Sequence, residues 1–247
     1  MSRIVILQPS YLPWLGYFEQ ISRCNIFVYL DDVQYTKNDW RNRNRIKTKD
    51  GIQWLTVPVS FQFGQKIHEI CINKSSHWQK KHMQALKTWY GKGSFFPVYF
   101  EELQHILHKN WSYLVDLDVT LTQWLMEKIG FQPKIIFSSQ LSIQSSDSQL
   151  RLIEICKHLN CNYFYEGKSG QDYIDTKLFE SHGITIEFQN YLHPYYNQLW
   201  LREQGFISHL SIIDLLFNHG PDSLAILTGQ KVITKPEGIR FRYAHEK

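Results

Sequence analysis

The first 30 residues constrain the fold most. Ile4-Val5-Ile6-Leu7 is an unbroken apolar run opened by β-branched residues, the pattern of a strand buried on both faces of a parallel sheet. It stops at Gln8-Pro9. Ser10-Tyr11-Leu12-Pro13 follows as a loop closed by proline, and Trp14, Phe18 and Ile21 then recur at helical spacing toward Cys24. A second buried run covers residues 26–30. Strand, loop, helix and strand in so short a span make a βαβ unit, whose crossover is right-handed. The expectation is an α/β fold: a parallel, Rossmann-like sheet opened by this unit.

After the polar segment 31–51, Gln53-Trp54-Leu55-Thr56-Val57-Pro58-Val59 reads as a further strand, placed near a sheet edge by Pro58. Apolar stripes at Trp78, His82, Ala85, Leu86 and Trp89, and at Leu114, Leu117, Leu121, Trp124 and Leu125, predict a helical insertion over about 75–130. The α/β pattern returns with strands at 135–137, 162–165 and 184–188. Between the first two of these, Ser146 and Gln149 have the spacing of a capping box opening a helix through Leu152, Ile155, Cys156 and Leu159. A last helix starts near Ser211, where Asp214 reads as a capping residue, and stops at Gly220. One α/β domain spanning 1–247 is expected, since 43% hydrophobic and 15% aromatic residues supply a sizeable core.

The charge of +4 is mild for this length; it suits an anionic ligand and argues against nucleic acid. The four cysteines form no Cys-x-x-Cys pair and share no zinc-like spacing with histidine, so free thiols and no metal are expected. The amino terminus lacks the apolar region of a signal peptide, and no stretch reaches the roughly 20 apolar residues of a membrane span. A cytoplasmic location is expected.

In a parallel sheet the ligand crevice lies beyond the carboxyl ends of the strands, where helix N-termini attract anions. That places Gln8, Tyr11 and Trp14 at a nucleotide or sugar-nucleotide cradle, with a stiff connection as the plain alternative. Asp31-Asp32 reaches the same edge; neighbours on an extended chain point opposite ways, so one of them enters the site as base or phosphate–metal ligand. Gln34 follows. The run Lys37–Lys47 is dense in Arg and Asn around Trp40; Arg41, Arg43, Asn44 and Arg45 offer forks and amides matched to phosphate, or else a solvated basic face. Gly167-Lys168-Ser169-Gly170 fails as a P-loop, because Cys161 and Asn162 stand where that motif needs glycine, and leaves Ser169 on a small phosphate-facing turn. His193, with Tyr195 beside it on a loop, is a candidate acid or base. Cys156, on an apolar stripe, belongs to the core.

These residues resemble the WbqC-like family of bacterial polysaccharide-cluster proteins. The resemblance rests on Gln8-Pro9-x-Tyr11-x-Pro13-Trp14-x-Gly16-Tyr17-Phe18, on Asp31-Asp32-Val33-Gln34-Tyr35 with Arg43-Asn44, and on Trp54-Leu55-Thr56-Val57-Pro58-Val59. Tyr165-x-Gly167-x-Ser169-Gly170-x-x-Tyr173, His193-Pro194-Tyr195 and Ser211-Ile212-Ile213-Asp214-Leu215-Leu216-Phe217-Asn218-x-Gly220 extend it almost end to end. It implies a role in O-antigen or related surface-glycan biosynthesis, where members have been proposed to transfer glycine to an amino sugar. The expected partners are a nucleotide-linked sugar and an activated acyl donor, either an acyl carrier or an aminoacyl donor. The opening unit is also similar to nucleotidyltransferase-type enzymes, with Tyr17 where their motif has His. Three functions are therefore carried forward: an acyl or aminoacyl transferase with Asp32 or His193 as base, an ATP-dependent acyl-adenylate ligase, and a non-catalytic sugar-nucleotide binder.

Overall fold

A computed structural model describes residues 2–244. The elements run β1 (Arg3–Leu7), α1 (Leu15–Ser22), β2 (Ile26–Tyr29), β3 (Arg43–Thr48), β4 (Gly51–Thr56), β5 (Val59–Ser60), β6 (Cys71–Ile72), α2 (Trp78–Tyr90), α3 (Phe96–His108) and α4 (Leu114–Ile129). They continue with β7 (Lys134–Phe137), α5 (Ser148–His158), β8 (Tyr163–Glu166), α6 (Thr176–Ser181), β9 (Thr185–Phe188), α7 (Leu201–Gln204), β10 (Phe206–Ser208), α8 (Ile213–His219), α9 (Ser223–Leu227) and β11 (Phe241–Tyr243). The chain divides into two compact units.

The sheet unit comprises the first strand, Glu19–Val33 and Phe131–Leu192. Its five strands are parallel, in the order β7-β2-β1-β8-β9, so the fold is the expected α/β sheet opened by a βαβ unit. β1 lies at the centre, and Ile4, Val5 and Ile6 are almost fully buried, which is why that run carries no polar residue. Ile4, Ile6, Val28 and Phe164 share one face with Ile153, Ile155 and Cys156 of α5 and Phe179 of α6. Each such side chain contributes roughly 1.5–3 kcal/mol by leaving water. The opposite face is polar over β8: Arg3 bonds Glu187, Tyr163 donates to Glu187, and Arg3 lies over the rings of Tyr163 and Tyr165. The helix expected after a Ser146 capping box is capped one residue later. The Asp147 carboxylate accepts the N–H groups of Gln149 and Leu150, because an N-cap must sit directly before the first helical turn.

The second unit comprises Ser10–Phe18, Gln34–Gly130 and the chain from His193 onward. It contains the helical insertion as α2, α3 and α4; α3, with Pro97 in its first turn, lies between the two helices marked by stripes. Gly130 ends α4 in the left-handed region, at φ 106°, where a side chain would be strained. The polar segment before Gly51 holds more structure than its composition shows. Residues 43–48 form β3, which pairs with β4 in a separate antiparallel hairpin from Arg43↔Thr56 to Thr48↔Gly51. The strand expected at 53–59 is thus β4 of this hairpin, ending before Pro58, and not a strand of the parallel sheet. Apolar alternation misses β3 because Asn44, Arg45 and Lys47 are buried on partners distant in the chain. The helix expected from Ser211 begins at Ile213, and Asp214 does not cap it: Asp214 is fully buried inside the unit.

Candidate functional site

The β3–β4 hairpin places cations on tryptophans. Register sets Arg45 opposite Trp54 and Arg43 opposite Thr56, so both guanidinium groups share the face carrying Trp54. Arg43 stacks 4.5 Å from the Trp54 ring centre, while Arg45 lies 5.1 Å from it and 4.7 Å from that of Trp40. The two indoles are themselves 5.6 Å apart. Arg45 is 5% exposed and donates to the Ala244 carbonyl, but its Nε and Nη2 are buried without a hydrogen-bond partner. Arg43 donates to the Asn38 carbonyl and leaves Nε likewise unpartnered. Among the described residues neither meets a carboxylate. Burial, and then the like charge of Arg43, draw the Arg45 guanidinium below its usual pKa. Two neighbouring cations without a counter-ion, Arg45 buried and Arg43 half-buried, are costly, and an anionic ligand would offset that cost.

The other residues singled out in this unit are placed around the hairpin by their own bonds. Arg41 pairs with Asp39 at 3.3 Å and donates to the Ser10 hydroxyl. The Asn44 amide donates to the carbonyls of Tyr11 and Leu12, holding Leu12 at φ 43°, so Asn44 shapes the loop rather than reaching outward. Tyr11 is buried against His82, its hydroxyl 2.8 Å from Nδ1, while the opposite ring nitrogen meets the Thr56 carbonyl. A carbonyl only accepts; Nε2 therefore carries the proton and Tyr11 donates to Nδ1. Burial lowers the His82 pKa to about 4, which keeps the ring neutral. Trp14 stacks on His209 at 4.8 Å, and its indole fills the space over Gly16, where an added Cβ would lie 2.1 Å from a ring carbon. His193 is 5.1 Å from His209, and burial together with that neighbour pushes its pKa down to about 3. Tyr195 packs on Phe206 at 4.9 Å. Gln34 is exposed and bridges to Lys66.

At the carboxyl edge of the sheet unit, Gln8 follows β1 half-buried, and Ser169 lies exposed in a 3₁₀ turn after β8. Both aspartates after β2 engage the end of β7. Asp31 accepts the Ser139 backbone N–H at 3.0 Å and its hydroxyl at 2.6 Å, whereas Asp32 is ion-paired with Arg151 and bonded to Ser138. Burial alone would raise the Asp32 pKa; the hydrogen bonds from Ser138 and Arg151 and the Arg151 charge outweigh it, and the net shift is downward. Asp32 is held as a paired carboxylate, a weak base.

Several functional groups escape a reading of the sequence. Burial raises the Glu166 carboxyl, at the end of β8, to about 7, against hydrogen bonds from the Gly167 backbone and Tyr173 that lower it. Lys47 is fully buried with its ammonium on Gln198 and the Gly205 carbonyl, and burial lowers it to about 8. Asp214 accepts from Tyr90 and Gln198 at 2.8 Å each, and burial raises its pKa. Asp118 of α4 is fully buried with neither oxygen bonded, and its carboxyl is pushed well up by burial. The available signal was a carboxylate inside an apolar run, as in Ile212-Ile213-Asp214-Leu215-Leu216 and Leu117-Asp118-Val119. Among the described residues no group of three or more His, Cys, Asp or Glu side chains could hold a metal ion, and no helix is long and apolar enough to cross a membrane.

A model of the WbqC-like protein family matches residues 8–226. The uncharacterized protein Rv1507c of Mycobacterium tuberculosis is 35% identical over 234 residues, covering 90% of this chain and 96% of that relative. No solved structure matches.

Proposed function

The chain belongs to the WbqC-like protein family, and from that premise we propose that it is a cytoplasmic transferase that joins an acyl or aminoacyl group, such as glycyl, to the amine of a nucleotide-linked sugar during O-antigen or related surface-glycan biosynthesis. The observation that carries the reading is the pair Arg43 and Arg45, stacked on Trp40 and Trp54 without a carboxylate. Guanidinium forks suit a diphosphate, and exposed Trp54 offers a face to a base or sugar ring. Tyr11, Asn44 and Arg41 support that surface from behind.

In the chemical step the neutral amine attacks the carbonyl carbon of an activated acyl donor. A C–N bond forms, the bond to the donor's leaving group breaks with its electron pair, and a base takes the ammonium proton. Asp32 and His193 are the bases suggested by sequence, but each is held below its ordinary pKa, Asp32 by hydrogen bonds from Ser138 and Arg151 and His193 by burial beside His209, so both are weak proton acceptors.

The test incubates the purified chain with a nucleotide-linked amino sugar and an aminoacyl donor and weighs the product. A mass gain of one acyl group, lost in Arg43→Gln, is expected. Tight binding without turnover would make the chain a presenting protein, and pyrophosphate release from ATP would make it a ligase. A wild type and an Arg43→Gln variant that bind no nucleotide sugar would overturn the reading.

A further inference from the structure

A cleft of about 270 Å³ opens between β4 and the first turn of α2, within the second unit. Its walls include Trp54, 42% exposed, and Trp78, and no carboxylate lines it. Lys81 is exposed on one wall and forms no ion pair among the described residues. Ser76 places a buried hydroxyl oxygen there without any hydrogen-bond partner. The 13-residue helix α2 starts at this cleft uncapped: His77 makes no side-chain cap bond, and the first turn has no acidic residue. The N–H groups and positive pole of that turn are therefore available to an anion. His82 also lines the cleft, but both its ring nitrogens are engaged and the ring is neutral, so Lys81 is the cation that faces a ligand.

We propose that this cleft is a second ligand site, which binds a phosphate monoester carried on a ring, the ring against Trp54 and the phosphate on Lys81, Ser76 and the start of α2. The volume lies just below the usual range for ligand pockets of about 300–1,000 Å³. A sugar phosphate or a mononucleotide fits that size; a whole nucleotide-linked sugar does not. The site shares Trp54 with the surface proposed above but uses neither Arg43 nor Arg45, so Arg43→Gln distinguishes the two.

Titrating the full chain by tryptophan fluorescence with a hexose phosphate, a nucleoside monophosphate and inorganic phosphate tests it. At least one ring phosphate should bind, more tightly than inorganic phosphate. Lys81→Gln and Ser76→Ala should each weaken it by about tenfold, the loss of one hydrogen bond to a charged group, at unchanged melting temperature. Arg43→Gln should leave it intact. Which ring phosphate binds identifies the source. Equal affinity for inorganic phosphate, binding indifferent to Lys81 and Ser76 but lost with Arg43, or no binding of any probe would each overturn the proposal.

Discussion

The two units treat charge differently. In the sheet unit three arginines are paired with carboxylates: Arg3 with Glu187, Arg23 with Glu19, Arg151 with Asp32. In the second unit Arg43 and Arg45 rest on indole rings, and Lys47 and Asp214 are sealed into a network of neutral hydrogen-bonding groups. Paired charges at a rim stabilise little and bind little, whereas cations held without counter-ions keep their capacity for an outside anion. Under the proposed function, the anion is met in the second unit.

The strongest challenge to this contrast is Asp214→Ala. Removing that carboxylate leaves the Tyr90 hydroxyl without its acceptor, takes one acceptor from the Gln198 amide and removes an anion near buried Lys47, and urea unfolding should show a loss of about 3–5 kcal/mol. A loss below 1 kcal/mol would mean that the network is not sealed. Next comes Glu166→Gln. A carboxyl raised from its unfolded value of about 4.5 to about 7 binds more protons when folded than unfolded between those values, so the wild type loses stability as pH rises through that window. Glu166→Gln should remove the loss, gaining on the wild type by roughly 3 kcal/mol between pH 4.5 and pH 8. Parallel stability curves would place Glu166 among the paired groups. Third, Arg43→Gln should weaken nucleotide-sugar binding, by calorimetry, by about tenfold or more with little change in stability. The smallest effect is expected at Arg151→Gln: the ion pair is partly exposed, so its loss should cost at most about 1 kcal/mol and leave ligand binding unchanged. A binding loss there equal to that of Arg43→Gln would erase the distinction between the units.

How much could be read in advance follows from where each signal resides. The run at Ile4-Val5-Ile6-Leu7 was legible as a parallel strand because burial on both faces excludes polar residues locally, and Ile135-Ile136-Phe137 gave the same apolar run although on the edge strand it is only half-buried. The stripes of α2 and α4 were legible for the same reason at a different period. The arginine-rich segment was legible as a basic stretch, yet not as a strand: Asn44 bonds the loop at Leu12, Arg45 the carbonyl of Ala244, and Lys47 that of Gly205, all distant in the chain. Asp214 read as a cap because its spacing from Ser211 is local, while its partners Tyr90 and Gln198 are not.

By itself, then, the order of residues determined the parallel sheet, its opening βαβ unit and the helical insertion, since each depends on neighbours within a few turns or strands. Only the tertiary structure decided which charges are paired. It neutralised Asp32 with Arg151, left Arg43 and Arg45 on tryptophan, and tuned Glu166 toward neutrality. The energy of a charge depends on what surrounds it in space, and chain spacing does not record that.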